Sequence, residues 1–295
     1  MTPHEYMVRE GIEISIGFSR FTRTALAEPG REEYVLATGT AAVHRLWLLH
    51  GIYSPAGKRV LLQAGLRQGM KIADFGCGVG ATTRMFAEMT GRFGRVTGID
   101  VHAAQLDEAR QACANGGLAN VTFHHADACD TKLPAESFDL AYCRFLLLHL
   151  TNPADCIREM MRVLKPGGLL VIEDGDLASA ESIPPTAMNA FAEAFSKLGP
   201  IRGVNYSISR DLFHMVRAAG IPEPELEIHQ PAITRGDARF FLKWSVQEAG
   251  PALVNAGVLT QAELDRTLKE MEAAVEDLNV LILPPKMSIV WGRKP

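Results

Sequence analysis

The sequence contains no C-x-x-C pair, and its five cysteines (Cys77, Cys113, Cys129, Cys143 and Cys156) are odd in number. This argues against a disulfide framework or a cysteine-built metal site, so no metal is expected and the thiols read as reduced, in a cytoplasmic protein. Long apolar runs are missing too. Stretches such as residues 145–150 fall far short of the roughly 20 residues that a membrane-spanning helix needs. The opening residues Met1-Thr2-Pro3-His4-Glu5 have neither the basic nor the apolar region of a secretion signal, and none is expected. Basic residues are scattered and the formal net charge is −4, which argues against a nucleic acid partner. There is no internal repeat and no low-complexity tract.

What is present suffices for a sizeable core: 47% of the residues are hydrophobic and 22% charged. Apolar spacing predicts a helix over residues 40–53, ended by Ser54-Pro55, and a second short helix over 56–64. From residue 70 strands and helices alternate. Strands are expected at 70–75, 95–100, 121–126, 138–143 and 169–173, with helices at 81–90, 103–115 and 154–164. Further on, helices are expected at 184–198, 210–219, 238–249 and 261–278, and strands at 225–229 and 286–291. Alternation of this kind implies right-handed crossovers and an α/β, doubly wound, mostly parallel sheet. Such sheets bind ligands beyond the carboxyl ends of their strands. The division expected is an N-terminal helical cap over 1–57 and a core over 58–295, carrying a helical insertion at about 235–282 before the last strand.

The turn after the first strand reads Asp74-Phe75-Gly76-Cys77-Gly78-Val79-Gly80. Glycines there let a ligand approach the backbone, and the helix behind presents free N–H groups. Alone this suits any nucleotide-like ligand, and residues 76–81 also satisfy the dinucleotide pattern. Asp74 discriminates. A carboxylate beside a pyrophosphate is unfavourable, whereas one beside an ammonium group is favourable; the bland reading makes Asp74 a helix cap. Asp100, after the second strand, can accept from ribose hydroxyls, and Val101 can pack on an adenine. Asp127-Ala128, after the third strand, can meet the adenine amino group, or Asp127 can simply be a turn residue.

Asp-x-Gly-x-Gly-x-Gly at 74–80, Asp100, Asp127-Ala128, the strand Phe138-Asp139-Leu140-Ala141-Tyr142-Cys143-Arg144 and Leu164-Lys165-Pro166-Gly167-Gly168 stand in the order found in class I S-adenosylmethionine-dependent methyltransferases. The resemblance covers roughly residues 70–175. Within that superfamily the chain looks like the ubiquinone/menaquinone-biosynthesis type and the small-molecule methyltransferases of bacterial secondary metabolism. Arg144-Phe145-Leu146-Leu147-Leu148-His149-Leu150 and the closing Trp291-Gly292-Arg293-Lys294-Pro295 carry that narrower likeness. The resemblance implies a Rossmann-like sheet of seven strands whose last strand is antiparallel, and S-adenosyl-L-methionine as cofactor. The cofactor would be held by Asp74, Gly76, Cys77, Gly78, Asp100, Val101, Asp127, Ala128 and Arg144, with Tyr34 reaching over its methionyl end.

Transfer of a methyl group from a sulfonium is a displacement in line, so alignment of the nucleophile supplies much of the rate. A base is needed only if the nucleophile keeps its proton. The candidates are His149 and Asp174; Glu173 and Asp176 lie beside the latter, and Tyr206, Arg202 and Arg210 are further pocket candidates. The bland reading packs His149 in a helix. The expected partner is a small-molecule acceptor, with O-, N- or C-methylation and a homodimer left open. Two alternatives stand: an NAD(P)-dependent oxidoreductase, and a protein that keeps the fold and cofactor without methylating.

Overall fold

The computed structural model describes residues 40–295. It opens with α1 (Thr40–Ala64), followed by β1 (Lys71–Phe75), α2 (Ala81–Thr90), β2 (Arg95–Asp100), α3 (Ala103–Asn115), β3 (Val121–His125) and β4 (Phe138–Arg144). Next come α4 (Pro153–Val163), β5 (Leu164–Asp176), the short β6 (Glu181–Ile183), α5 (Ala190–Arg202), α6 (Leu212–Ala218) and β7 (Glu225–His229). The chain closes with α7 (Phe241–Asn255), α8 (Gln261–Glu276), the short β8 (Leu281–Leu283) and β9 (Lys286–Arg293). Seven strands form one sheet in the order β3-β2-β1-β4-β5-β9-β7. Strands β1 to β5 pair in parallel, and β9 runs antiparallel to both β5 and β7. This is the doubly wound, Rossmann-like methyltransferase fold expected from the sequence, with its last strand antiparallel.

The central strands are mostly apolar because helices cover both faces. Ile72, Phe75, Leu140, Cys143, Leu170 and Ile172 are fully buried. The amphipathic α4 lays Cys156, Ile157, Met160 and Val163 on one side of this layer.

Three local features depart from the sequence expectation. The helix expected to end at Ser54-Pro55 continues through Pro55 to Ala64 as one element. A proline inside a helix removes a hydrogen bond and crowds the carbonyl four residues back. Tertiary packing outweighs this: Tyr53, Val60 and Leu61 are buried on either side of the proline, and the Tyr53 hydroxyl donates to the Pro285 carbonyl at 2.8 Å. The 57/58 boundary therefore falls inside this helix. The helix expected over 184–198 is split, with one short turn at Ala187–Asn189 ahead of α5. Finally, β6 and β8 form a separate antiparallel pair, reinforced by a bridge between Ile233 and Ile282. The pair ties the segment after β5 to the insertion between β7 and β9.

That insertion is fastened from within by Arg239. Its side chain is 2% exposed, and it donates to the carbonyls of Val275 (2.7 Å), Val280 (2.8 Å), Asp277 (2.8 Å) and Ala274 (3.0 Å). Four carbonyls at and beyond the end of α8 thus accept from one guanidinium.

Candidate active site

A cavity of about 670 Å³ opens at the carboxyl ends of the parallel strands, where a doubly wound sheet places its ligands. One end is formed by the turns after β1, β2 and β3. Gly76, Gly78 and Gly80 all lie in the left-handed region, with φ of 66°, 54° and 78°. At Gly80 a Cβ would stand 2.8 Å from that of Ala109 on α3, so the loop can only fold this closely with glycine there. The loop is held from two further sides. The Gly78 N–H donates to Asp100 Oδ2 at 2.9 Å, and Trp47 of α1 packs on Val79 and Ala81.

Asp100 is only 8% exposed, and its other oxygen accepts from the His102 N–H at 2.9 Å. Its carboxylate thus orders two turns and also lines the cavity. Beside it Val101 leaves 44% of its surface exposed, an apolar side chain on a ligand-facing wall. Asp127 and Ala128 line the same end. Asp127 also closes its own turn, accepting from the Cys129 N–H at 2.8 Å, so the turn reading holds while the residue still lines the cavity. Cys77 differs: its thiol does not reach the main cavity and packs toward Gly98, and burial, then the Asp74 and Asp100 carboxylates, push it well above the ordinary thiol range. Cys77 lines instead the small recess beside Asp74. Tyr34 lies outside the described residues.

A recess of about 50 Å³ shares Leu46, Leu49, Gly76, Gly78 and Arg144 with the main cavity and adds Asp74. Asp74 is 2% exposed and accepts from the Thr83 hydroxyl at 2.6 Å. Burial raises its carboxyl to about 7, against the opposing effects of Thr83 and Arg144. Arg144 donates from Nη2 to the Thr82 hydroxyl (2.7 Å) and meets His50 Nδ1 (3.0 Å), while its buried Nη1 has no hydrogen-bond partner. A carboxylate and an unsatisfied guanidinium edge in one small recess suit a zwitterion.

The other end of the cavity is apolar and aromatic. Phe145 follows β4, Phe191 and Phe195 stand one turn apart on α5, and Phe241 opens α7. Polar groups are few there: Arg45, Arg202, Tyr206, Ser245 and His149. The His149 ring lies edge-on to Tyr206, 5.9 Å between centroids, and Tyr206 in turn meets Phe195 at 5.3 Å. Burial, then the charges of Arg45 and Arg202, lower the imidazole to about 3, which keeps it neutral and makes it a weak base.

Asp174, the other candidate base, does not line the cavity. It is fully buried, and it accepts from the N–H groups of Leu147 (2.8 Å) and Gly175 (2.9 Å), which fixes the turn carrying His149. Asp176 is tied to Arg210 at 2.8 Å, and neither residue reaches the cavity. Glu173 is buried beneath Gly57 of α1, with neither oxygen hydrogen-bonded, and burial raises it to about 7. Sequence reasoning missed Arg45, Gln105 and the phenylalanines of α5 and α7. The i, i+4 pair Phe191/Phe195 carried a faint signal, but the same pattern marks any core helix.

Residues 73–172 match the family model of the methyltransferase domain. A demethylmenaquinone methyltransferase from Staphylococcus aureus is 31% identical over 170 residues, covering 58% of this chain and 68% of that protein. A ubiquinone/menaquinone biosynthesis C-methyltransferase from Pseudomonas paraeruginosa is 36% identical over 137 residues, 45% of this chain and 50% of that protein. The chain thus spans two thirds of the first relative and half of the second. A crystal structure of a Bacillus halodurans C-125 protein superposes with a TM-score of 0.57 at 21% identity, covering 81% of this chain and 98% of the other. That likeness is one of fold.

Proposed function

The chain belongs to the class I S-adenosylmethionine-dependent methyltransferases, and on that premise we propose that it methylates a small, largely apolar acceptor held against the aromatic end of the cavity. The observation carrying this reading is a single cavity with two unlike ends, one of glycine turns and carboxylates, the other of phenylalanines.

The cofactor's residues fit. The unpartnered Arg144 Nη1 suits the methionyl carboxylate, and Asp74 suits the ammonium. Asp100 offers its carboxylate to the ribose, Val101 offers an apolar face to the adenine, and Asp127 offers an acceptor to the adenine amino group. When bound, S-adenosylmethionine supplies an electrophilic methyl group on a positively charged sulfur. The chain's own part is to exclude water and align the acceptor's nucleophile with that methyl for displacement in line. Leu46, Leu49 and Leu146 line the cavity and give it apolar surface.

The recess disfavours a nicotinamide dinucleotide, since Asp74 beside Gly76 would face the pyrophosphate. The relatives' names point first to quinone-type carbon acceptors, and the phenylalanine wall is compatible with a flat ring. The test is S-adenosylhomocysteine release in the presence of demethylated quinols and of simple aromatic acceptors. Acceptor-dependent release with a matching mass gain on the acceptor supports the reading. Tight S-adenosylmethionine binding with no release for any acceptor of either class counts for the non-methylating alternative.

A further inference from the structure

Phe145 is the first residue beyond β4, and in the chain it directly follows Arg144, which lines the cofactor recess. Phe145 itself lines the main cavity and is partly exposed. Its backbone lies in the left-handed region, with φ of 49°. Among the described residues that line the cavity, it alone adopts this conformation without being a glycine. A bulky residue is strained there, and such strain persists only where the surroundings impose it.

Three neighbours impose it. The Phe145 N–H donates to the Glu173 carbonyl at 2.9 Å, which ties the turn to β5. Further along β5, Gly175 leaves space that the ring fills: a Cβ there would stand 2.4 Å from Phe145 Cε1 and 3.2 Å from Cζ. Gly175 is not among the left-handed glycines, so its backbone does not demand the residue; glycine inside a strand often marks a close approach of this kind. From α1 the Tyr53 ring meets the Phe145 ring edge-on, 5.1 Å between centroids and 64° between planes. Tyr53 is buried and its hydroxyl is held by the Pro285 carbonyl, so this contact is anchored in turn. Neither Gly175 nor Tyr53 lines the cavity.

We propose, resting on the methyltransferase reading, that Phe145 is a specificity-determining residue for a planar aromatic acceptor, and that Gly175 and Tyr53 are positioning residues that hold its ring. A ring fixed on two sides is preorganised, and it favours a flat partner over a puckered one of similar size. Such a wall limits how the acceptor's ring can lie, which is the alignment that displacement in line needs. Phe191, Phe195 and Phe241 complete the aromatic lining.

The test is calorimetric titration of the full chain saturated with S-adenosylhomocysteine, using 2-naphthol and its saturated counterpart decahydro-2-naphthol. The flat member should bind about tenfold tighter. Phe145→Leu should cut that preference to about threefold or less, while S-adenosylhomocysteine binds as before. Gly175→Ala, a substitution outside the cavity, should displace the ring and weaken 2-naphthol about tenfold, again without loss of S-adenosylhomocysteine. Once Phe145→Leu is present, adding Gly175→Ala should cost no further 2-naphthol affinity, a non-additivity that general destabilisation does not produce. Should Gly175→Ala fail to fold, Tyr53→Leu takes its place: it frees the ring and should lower the preference, and its double variant with Phe145→Leu should match Phe145→Leu alone. Equal binding of the two probes by the parent, or binding of neither, overturns the proposal. So does a preference that survives Phe145→Leu, and so do additive effects in the double variant. Failure to bind S-adenosylhomocysteine at all would instead count against the cofactor reading, so the two failures are distinct.

Discussion

The Gly78 N–H points at Asp100 Oδ2 across 2.9 Å, so the glycine loop after β1 is tied to the end of β2 by the same carboxylate that lines the cavity. Removing that carboxylate takes away a ligand contact and loosens the loop together. Asp100→Ala is expected to weaken S-adenosylhomocysteine binding by roughly 1–3 kcal/mol, measured by calorimetry. Unchanged affinity would mean that the ligand does not lean on this residue.

Asp74 sits near 7 because it is buried, despite the Thr83 hydroxyl. A ligand ammonium favours the ionised carboxylate, so binding should release a proton, and affinity should rise with pH up to about 7 and level off above it. The expected gain in S-adenosylhomocysteine affinity between pH 6 and 8 is about tenfold. Asp74→Asn should flatten the dependence. A slope that persists in that variant would move the proton to another group, Glu173 first.

Glu173 has a folded value near 7, raised by burial, above the 4.5 of an ordinary glutamate. The folded state then holds the proton more tightly than the unfolded one. This contributes stability below about pH 4.5, and the contribution is lost as pH rises through about 7. Glu173→Gln mimics the protonated form, so its melting temperature should exceed that of the parent at pH 8 and match it at pH 4.5.

A Cβ on Gly57 would stand 2.5 Å from Glu173 Oε1 and 2.9 Å from Oε2, so the buried carboxyl must shift to admit it. Gly57→Ala should destabilise by about 1–3 kcal/mol in chemical denaturation, the usual cost of overpacking. Adding Glu173→Ala should recover part of that loss. Additive effects in the double variant would deny the contact.

Arg239→Met removes the donor for carbonyls of Ala274, Val275, Asp277 and Val280. A loss of about 3 kcal/mol or more is expected, because several buried acceptors are left unpaired at once. A melting temperature within a degree or two of the parent would show that the insertion does not rely on this fastening.

The sheet was legible because its strands are read by two strong signals, apolar runs and the turns that end them. The cofactor end was legible for a related reason. Asp74 and Asp100 stand at the carboxyl ends of β1 and β2, and Asp127 just beyond β3, so chain position alone fixes their place in space. The acceptor end is assembled from α1, the turn after β4, α5 and α7, which are distant in sequence, and Arg45 meets Glu248 across 203 positions. No local pattern encodes such a meeting. Asp174 misled for the opposite reason: it lies near the carboxyl end of its strand like the others, but its oxygens are consumed by backbone N–H groups that only the folded turn supplies. Pro55 reads locally as a stop, and only the burial of Tyr53 and Val60 around it reveals a continuous helix.

Trp47 packs on the glycine loop while Arg45, two residues earlier on the same helix, faces the acceptor end. One rigid element thus touches the walls of both ligands, and whatever settles the loop also settles the guanidinium. Occupancy of the two ends is then thermodynamically linked. A cofactor that improves acceptor affinity by some factor must itself be held tighter by that factor once the acceptor is in place. Through this one helix the coupling runs equally in both directions, whichever ligand arrives first.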